Sequence, residues 1–207
     1  MARPLRIVGL GDSTIAGTPG FQSPIEAPPD GRGNPESQCG YWMMQAHPEW
    51  TVLNRGVNGE RSDEIRTRFA RDVLEARPDY VIVLAGVNDI FQGLLPEAVE
   101  RNLGPIYAEA IDAGIVPVAG SVLPYDAATE RANLAMHELN HWIESFARIL
   151  SIPFCDTRAA VADPRDGDRL RGSPDGLHPD VDGYRRMGEA LAQSIEGAVE
   201  ARSKPRR

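Results

Sequence analysis

Lysine is almost missing from this chain. Of its 22 basic residues, 21 are arginine, and Lys204, close to the end, is the only lysine. The body of the sequence therefore has no lysine for a Walker-type phosphate loop, a Schiff base or a Ser-Lys dyad. Cysteine is also scarce: Cys39 and Cys155 stand alone, too few for a metal cluster and weak grounds for a disulfide. Both read as free thiols in a reducing cytoplasm, Cys155 as a small core residue. No long apolar run exists. The longest, Tyr80 to Val87, is far below the roughly 18 residues of a membrane span, and no signal-like stretch follows Met1–Arg6. Positive charge is outnumbered, 22 basic against 30 acidic side chains for a net −8, which argues against a nucleic-acid footprint or an anionic membrane surface. What remains is an ordinary globular composition, 42% hydrophobic in 207 residues. One domain over residues 1–199 is expected, with a polar, frayed tail over 200–207.

Short β-rich runs alternate with segments of helical period. Strands are expected at Leu5–Leu10, Thr51–Asn54, Asp79–Ala85, Ile115–Val122 and Ile152–Asp156. The run Tyr80–Leu84 is continuously apolar, as a strand covered on both faces would be. Helical stripes follow at Ile65, Phe69, Val73 and Ala76, at Leu139, Ile143, Phe146 and Leu150, and at Tyr184, Met187, Leu191, Ile195 and Val199. A further helix over about Pro96–Ala113 is expected to kink or restart at Gly104-Pro105. Alternating βα units imply a three-layer, doubly wound α/β fold with a parallel sheet. The stretch Thr18–Cys39, with five prolines and three glycines, reads as one long loop, either a functional lid or a floppy insertion.

Four segments carry chemistry. Gly11-Asp12-Ser13, Asn54–Gly59 and Gly86-Val87-Asn88-Asp89 each follow an expected strand, and Asp175-Gly176-Leu177-His178 precedes the last helix. Strand ends of a parallel sheet share one edge, so these distant segments converge on one cleft. Their residue types suit acyl transfer: a Ser13 hydroxyl on a tight turn, His178 to take and return its proton, and Asp175 to fix the imidazole tautomer. The backbone N–H groups of Ser13 and Gly59 and the side-chain amide of Asn88 can form an oxyanion hole. Each segment has a plainer reading alone: a turn serine, a β-turn at Asp175-Gly176, a loop-capping amide at Asn88. All four together would require four coincidences.

The ordered set Gly-Asp-Ser, Gly, Gly-x-Asn-Asp and Asp-x-x-His resembles the SGNH (GDSL) hydrolase superfamily, nearest its bacterial lysophospholipase, thioesterase and arylesterase-like members. The resemblance runs from Arg6 to about Ile195. It implies Ser13 as nucleophile, Asp175 and His178 completing the triad, and Gly59 and Asn88 as oxyanion donors. It also implies a flavodoxin-like sandwich of five parallel strands in the order 2-1-3-4-5. Thr14 stands where leucine often follows the serine, and the 18–39 loop is longer than in compact members.

Two other patterns compete. His137-Glu138-Leu139-Asn140-His141 matches the zinc-protease pattern His-Glu-x-x-His on an expected helix. At about 100° per residue, however, His137 and His141 lie opposite the apolar stripe, on a solvated face. Gly9-Leu10-Gly11 resembles a dinucleotide loop, but Thr14 occupies the third glycine position. His47, before Pro48, reads as a helix-end residue. No metal and no cofactor are expected.

Phe91, Leu94 and Leu95 follow Asn88 in an unusually apolar loop. They either line an acyl pocket or pack under the next helix. The expected function is hydrolysis of short- to medium-chain acyl or aryl esters through an acyl-enzyme, with a neutral small-molecule ester as partner. The alternatives are a carbohydrate O-acetyl esterase and, from another class, a non-catalytic binding domain.

Overall fold

The computed structural model describes residues 4–203; Met1–Arg3 and Lys204–Arg207, including the lone lysine and half of the expected tail, lie outside it. Five parallel strands make the central sheet: β1 (Arg6–Gly11), β2 (Thr51–Gly56), β3 (Tyr80–Leu84), β4 (Val116–Gly120) and β5 (Phe154–Cys155). Their spatial order is β2-β1-β3-β4-β5, as expected. Gly11 at the end of β1 pairs with Gly56 of β2 on one side and Leu84 of β3 on the other. The chain thus leaves β1 in one direction and returns past it in the other, and the crevice at such a switch point is where α/β sheets place ligands.

Alternation along the strands divides the core. Val8, Leu10, Val81 and Val83 face one side, against Ile65, Phe69, Ile106, Tyr107, Leu139 and Ile143. Ile7, Ile82, Leu84 and Val118 face the other, against Met43, Tyr184, Met187, Leu191 and Ile195. Period-two side chains on strands covered on both faces require this arrangement. The helices are α1 (Ser13–Ala16), α2 (Cys39–Ala46), α3 (Ser62–Thr67), α4 (Val87–Phe91), α5 (Pro96–Asp112), α6 (Glu130–Leu150), α7 (Thr157–Val161) and α8 (Val181–Ser203).

Several expectations change in detail. The helix carrying Ile65, Phe69 and Val73 is broken at Arg68 and continues as a π turn over Ala70–Leu74. The buried Arg68 guanidinium explains why that position matters: it donates to Gly11 O and Arg55 O at 2.7 Å, and pairs with Asp72 at 2.7 Å and Glu60 at 2.6 Å. α5 passes through Pro105 as one helix, because only one N–H is forfeited and its buried face continues. α8 runs to Ser203, so the first residues of the expected tail are helical. A hairpin of Ala162–Asp163 with Asp166–Leu170 had no counterpart among the expected strands. The 18–39 stretch is built rather than plain loop: Phe21–Gln22 pairs with Arg32–Gly33, and a 3₁₀ turn spans Pro35–Ser37. Cys39 and Cys155 are free and buried, and burial pushes each thiol up to about 12. Among the described residues no helix is long and apolar enough to cross a membrane.

Candidate active site

Ser13 opens α1 directly beyond β1 and is largely buried. The turn is held by Asp12, whose Oδ1 accepts the Thr14 N–H at 2.9 Å and the Thr14 hydroxyl at 2.8 Å. Thr14 therefore supplies a second bond to the cap, which a leucine could not. Burial pushes the Asp12 carboxyl up to about 6, against those two bonds and the attraction of His178. β2 presses against this turn: a Cβ on Gly56 would stand 2.1 Å from the Ala16 nitrogen, so the close approach requires glycine.

His178 reaches Ser13 from the far end of the chain. Its Nε2 lies 2.9 Å from Ser13 Oγ, and its Nδ1 lies 2.7 Å from Asp175 Oδ2. With the proton on Nδ1, that nitrogen donates to Asp175 and Nε2 is left to accept the Ser13 hydroxyl. Asp175 is fixed by its own turn, its Oδ1 accepting the N–H groups of Leu177 and His178 at 2.9 Å each. Burial works against its charge, but the His178 ring and these backbone donors outweigh it and hold the carboxyl at about 2. The arrangement can withdraw a proton from Ser13 Oγ and stabilise the imidazolium that results.

Ser13, Gly59 and Asn88, three residues with N–H donors, line the same cleft as the hydroxyl. Among the described residues no group accepts the backbone N–H of Ser13 or of Gly59. Asn88, in α4, donates one amide hydrogen to Glu60 O at 2.9 Å and keeps the other free. Asp89 beside it is buried, its two oxygens accepting Ser62 N–H at 2.9 Å and Ser62 Oγ–H at 2.7 Å. Asn102 donates to the same hydroxyl at 3.0 Å, so α3, α4 and α5 meet there. Gly59 has φ +74°, in the left-handed region, while a Cβ there would meet nothing within 4 Å. Its glycine is demanded by backbone conformation and not by crowding.

The model of the GDSL-like lipase/acylhydrolase family matches residues 10–186. The chain belongs to that family. A solved G-D-S-L family protein from Desulfitobacterium hafniense DCB-2 is 25% identical, with a TM-score of 0.76 over 92% of this chain and 99% of that one. Two curated relatives match shorter stretches. The uncharacterized lipoprotein YqeF of Bacillus subtilis is 31% identical over 81 residues, 35% of this chain and 32% of its own length. An acetylxylan esterase of Geobacillus stearothermophilus is 32% identical over 53 residues, 24% of each chain. The matches thus span about a third and a quarter of those two relatives.

In this GDSL-family chain, Ser13, Gly59, Asn88 and His178 all line one cleft of about 300 Å³. Phe91 lines it too, packed edge-to-face on Tyr125 at 5.6 Å. Leu94 and Leu95 do not reach it. Both are exposed; Leu94 borders a separate depression with Arg61 and Gln92, and Leu95 precedes the first turn of α5. One helical turn from Asn88 to Phe91 points the chain at the cleft, and the Gly93 turn beyond it points the chain away. The sequence reading missed Thr18, Val87, Tyr125 and Leu177 as cleft residues. Tyr125 was findable: it follows β4, a central sheet strand whose carboxyl end had drawn no candidate.

The competing His-Glu-x-x-His pair takes no part. His137 and His141 are exposed on α6, and His137 Nε2 is occupied by Asp168 Oδ1 at 2.6 Å. Among the described residues no three His, Cys, Asp or Glu side chains gather as a metal-binding group.

Proposed function

We propose that this chain is a serine esterase hydrolysing short- to medium-chain carboxylic esters through an acyl-enzyme. The observation that carries the reading is the continuous line Asp175–His178–Ser13, at 2.7 and 2.9 Å, opening into a cleft with three unengaged N–H donors. Ser13 Oγ attacks the ester carbonyl as His178 Nε2 takes its proton. The carbonyl oxygen becomes an anion facing the N–H groups of Ser13 and Gly59 and the Asn88 amide. His178 then protonates the departing alkoxide, leaving Ser13 acylated. Water, deprotonated by the same imidazole, releases the carboxylic acid and restores the hydroxyl. Asp175 keeps the imidazole oriented and offsets its charge. Every proton is carried by His178, so the sequence closes without a cofactor.

Val87, Phe91, Tyr125 and Leu177 give the cleft its apolar wall, and about 300 Å³ suits a small or medium acyl group. A second reading, a carbohydrate O-acetyl esterase, is favoured by the 53-residue likeness to an acetylxylan esterase. The site is expected to act on a soluble small-molecule ester in the cytoplasm, the compartment that two free, unpaired thiols favour. A panel of p-nitrophenyl acetate, butyrate and octanoate beside acetylated xylo-oligosaccharides, with Ser13→Ala as control, tests both readings. Turnover of the acyl series that disappears in the variant supports the first, and preference for the sugar acetates selects the second. Activity surviving in Ser13→Ala contradicts both.

A further inference from the structure

The proline-rich 18–39 segment lies against the loop that carries Gly59. Ser23, fully buried, donates its hydroxyl to Gly56 O at 2.6 Å. Glu26 Oε1 accepts the Asn58 N–H at 3.0 Å, and the Thr18 hydroxyl donates to the Asn58 side-chain oxygen. From the opposite side, Val57 N–H donates to Gly11 O at 3.1 Å, Asn88 donates to Glu60 O, and Arg68 pairs with the Glu60 carboxylate. Residues 56, 57, 58 and 60 are each tied, while Gly59 N–H between them has no acceptor among the described residues. Glu26 carries a cost for its part: its second oxygen, Oε2, is buried with no partner among the described residues. An orphaned buried carboxylate oxygen is expensive, and a glutamate serving only as surface would point it to water.

We propose that the 18–39 segment is a clamp on the oxyanion loop, with Glu26 as the positioning residue that aims the Gly59 N–H at the developing oxyanion. The proposal rests on the reading of Gly59 as an oxyanion donor and adds the element that sets its direction. An N–H turned away from the oxyanion is worth little, because this stabilisation depends on donors held in place before the charge develops. Glu26 holds the N–H of the Val57–Asn58 peptide; without its carboxylate that peptide can rotate and carry Asn58 and the Gly59 N–H with it, and the effect falls on the transition state more than on substrate binding.

The test compares Glu26→Ala and Glu26→Gln with the wild type for hydrolysis of p-nitrophenyl butyrate, phosphonylation by a fluorophosphonate, and melting temperature. Asn88→Ala serves as the reference for a lost donor. Glu26→Ala is expected to lower kcat about tenfold, less than the hundred- to thousand-fold loss of a whole donor, with KM within about twofold. Phosphonylation, which passes through the same charged oxygen, slows by a similar factor. Glu26→Gln keeps an oxygen that can accept the Asn58 N–H and recovers most of the rate. Wild-type kcat in Glu26→Ala while Asn88→Ala is impaired overturns the clamp and leaves the site reading intact. A kcat loss that follows a lowered melting temperature in both Glu26 variants, without recovery in Glu26→Gln, also overturns it. An unimpaired Asn88→Ala instead removes the oxyanion-hole reading beneath it.

Discussion

Two of the histidine–carboxylate pairs in this molecule are, by distance alone, twins. His178 meets Asp175 at 2.7 Å and His137 meets Asp168 at 2.6 Å. The difference lies in what else each ring touches. His178 spends Nδ1 on its carboxylate and keeps Nε2 for Ser13, inside a cleft, with its side chain 14% exposed. His137 spends Nε2 on Asp168, is 53% exposed, and shares that oxygen with Arg158 at 2.5 Å. An exposed pair sharing its acceptor with a guanidinium is a surface contact of small value. The pairing of imidazole with carboxylate is common to both; of the two, His178 alone also directs its second nitrogen at a hydroxyl.

The largest expected effect sharpens this contrast at the hydroxyl. Ser13→Ala is expected to lower kcat by on the order of 10⁵-fold or more, His178→Ala similarly, while His137→Ala stays within about twofold, all read as initial rates of ester hydrolysis. Asp175→Asn is next, at about 10⁴-fold, because the amide can favour the wrong tautomer of His178. Asp168→Asn at the twin pair is expected to leave kcat unchanged. Asn88→Ala follows with a loss of about 10² to 10³ in kcat and little change in KM.

The smallest effect is thermodynamic and separates two carboxylates of the site. Asp175, held at about 2 against an ordinary 3.8, contributes stability that is present above about pH 4 and is lost as pH falls toward about 2. Asp12 is the reverse. Its folded value of about 6 lies above the ordinary 3.8, so its contribution is full below about pH 4 and is lost as pH rises through about 6. Asp12→Asn keeps an oxygen for both Thr14 bonds while removing the ionisation. Melting temperatures measured from pH 4 to 7 are expected to decline less steeply with pH in this variant than in the wild type. Identical slopes would show that Asp12 does not titrate in that window.

Much of the frame was legible because it is periodic. The continuously apolar run of β3 and the 3.6-residue stripe on α6 report which segments face a core, whatever their partners. The loops of the site were legible for another reason: Gly-Asp-Ser, Gly-x-Asn-Asp and Asp-x-x-His place glycines and polar side chains together at short spacing. The parts that escaped depend on contacts between distant residues. Arg68 reads as a charge on an amphipathic helix, yet it is buried because Gly11 O and Arg55 O await its donors. Glu26 and Ser23 lie among prolines that read as loop, and their meaning comes from acceptors and donors some thirty residues later. Leu94 and Leu95 show the opposite failure. Their hydrophobicity suggested a pocket, but the turn at Gly93 carries them away from it.

Labelling with a fluorophosphonate, followed by intact-mass measurement and peptide mapping, tests the central claim most directly. The expected result is one adduct per chain, mapped to Ser13, absent in Ser13→Ala, strongly slowed in His178→Ala and unaffected in His137→Ala. An adduct on another residue, or undiminished labelling in His178→Ala, would contradict the assignment of Ser13 and His178 as nucleophile and base.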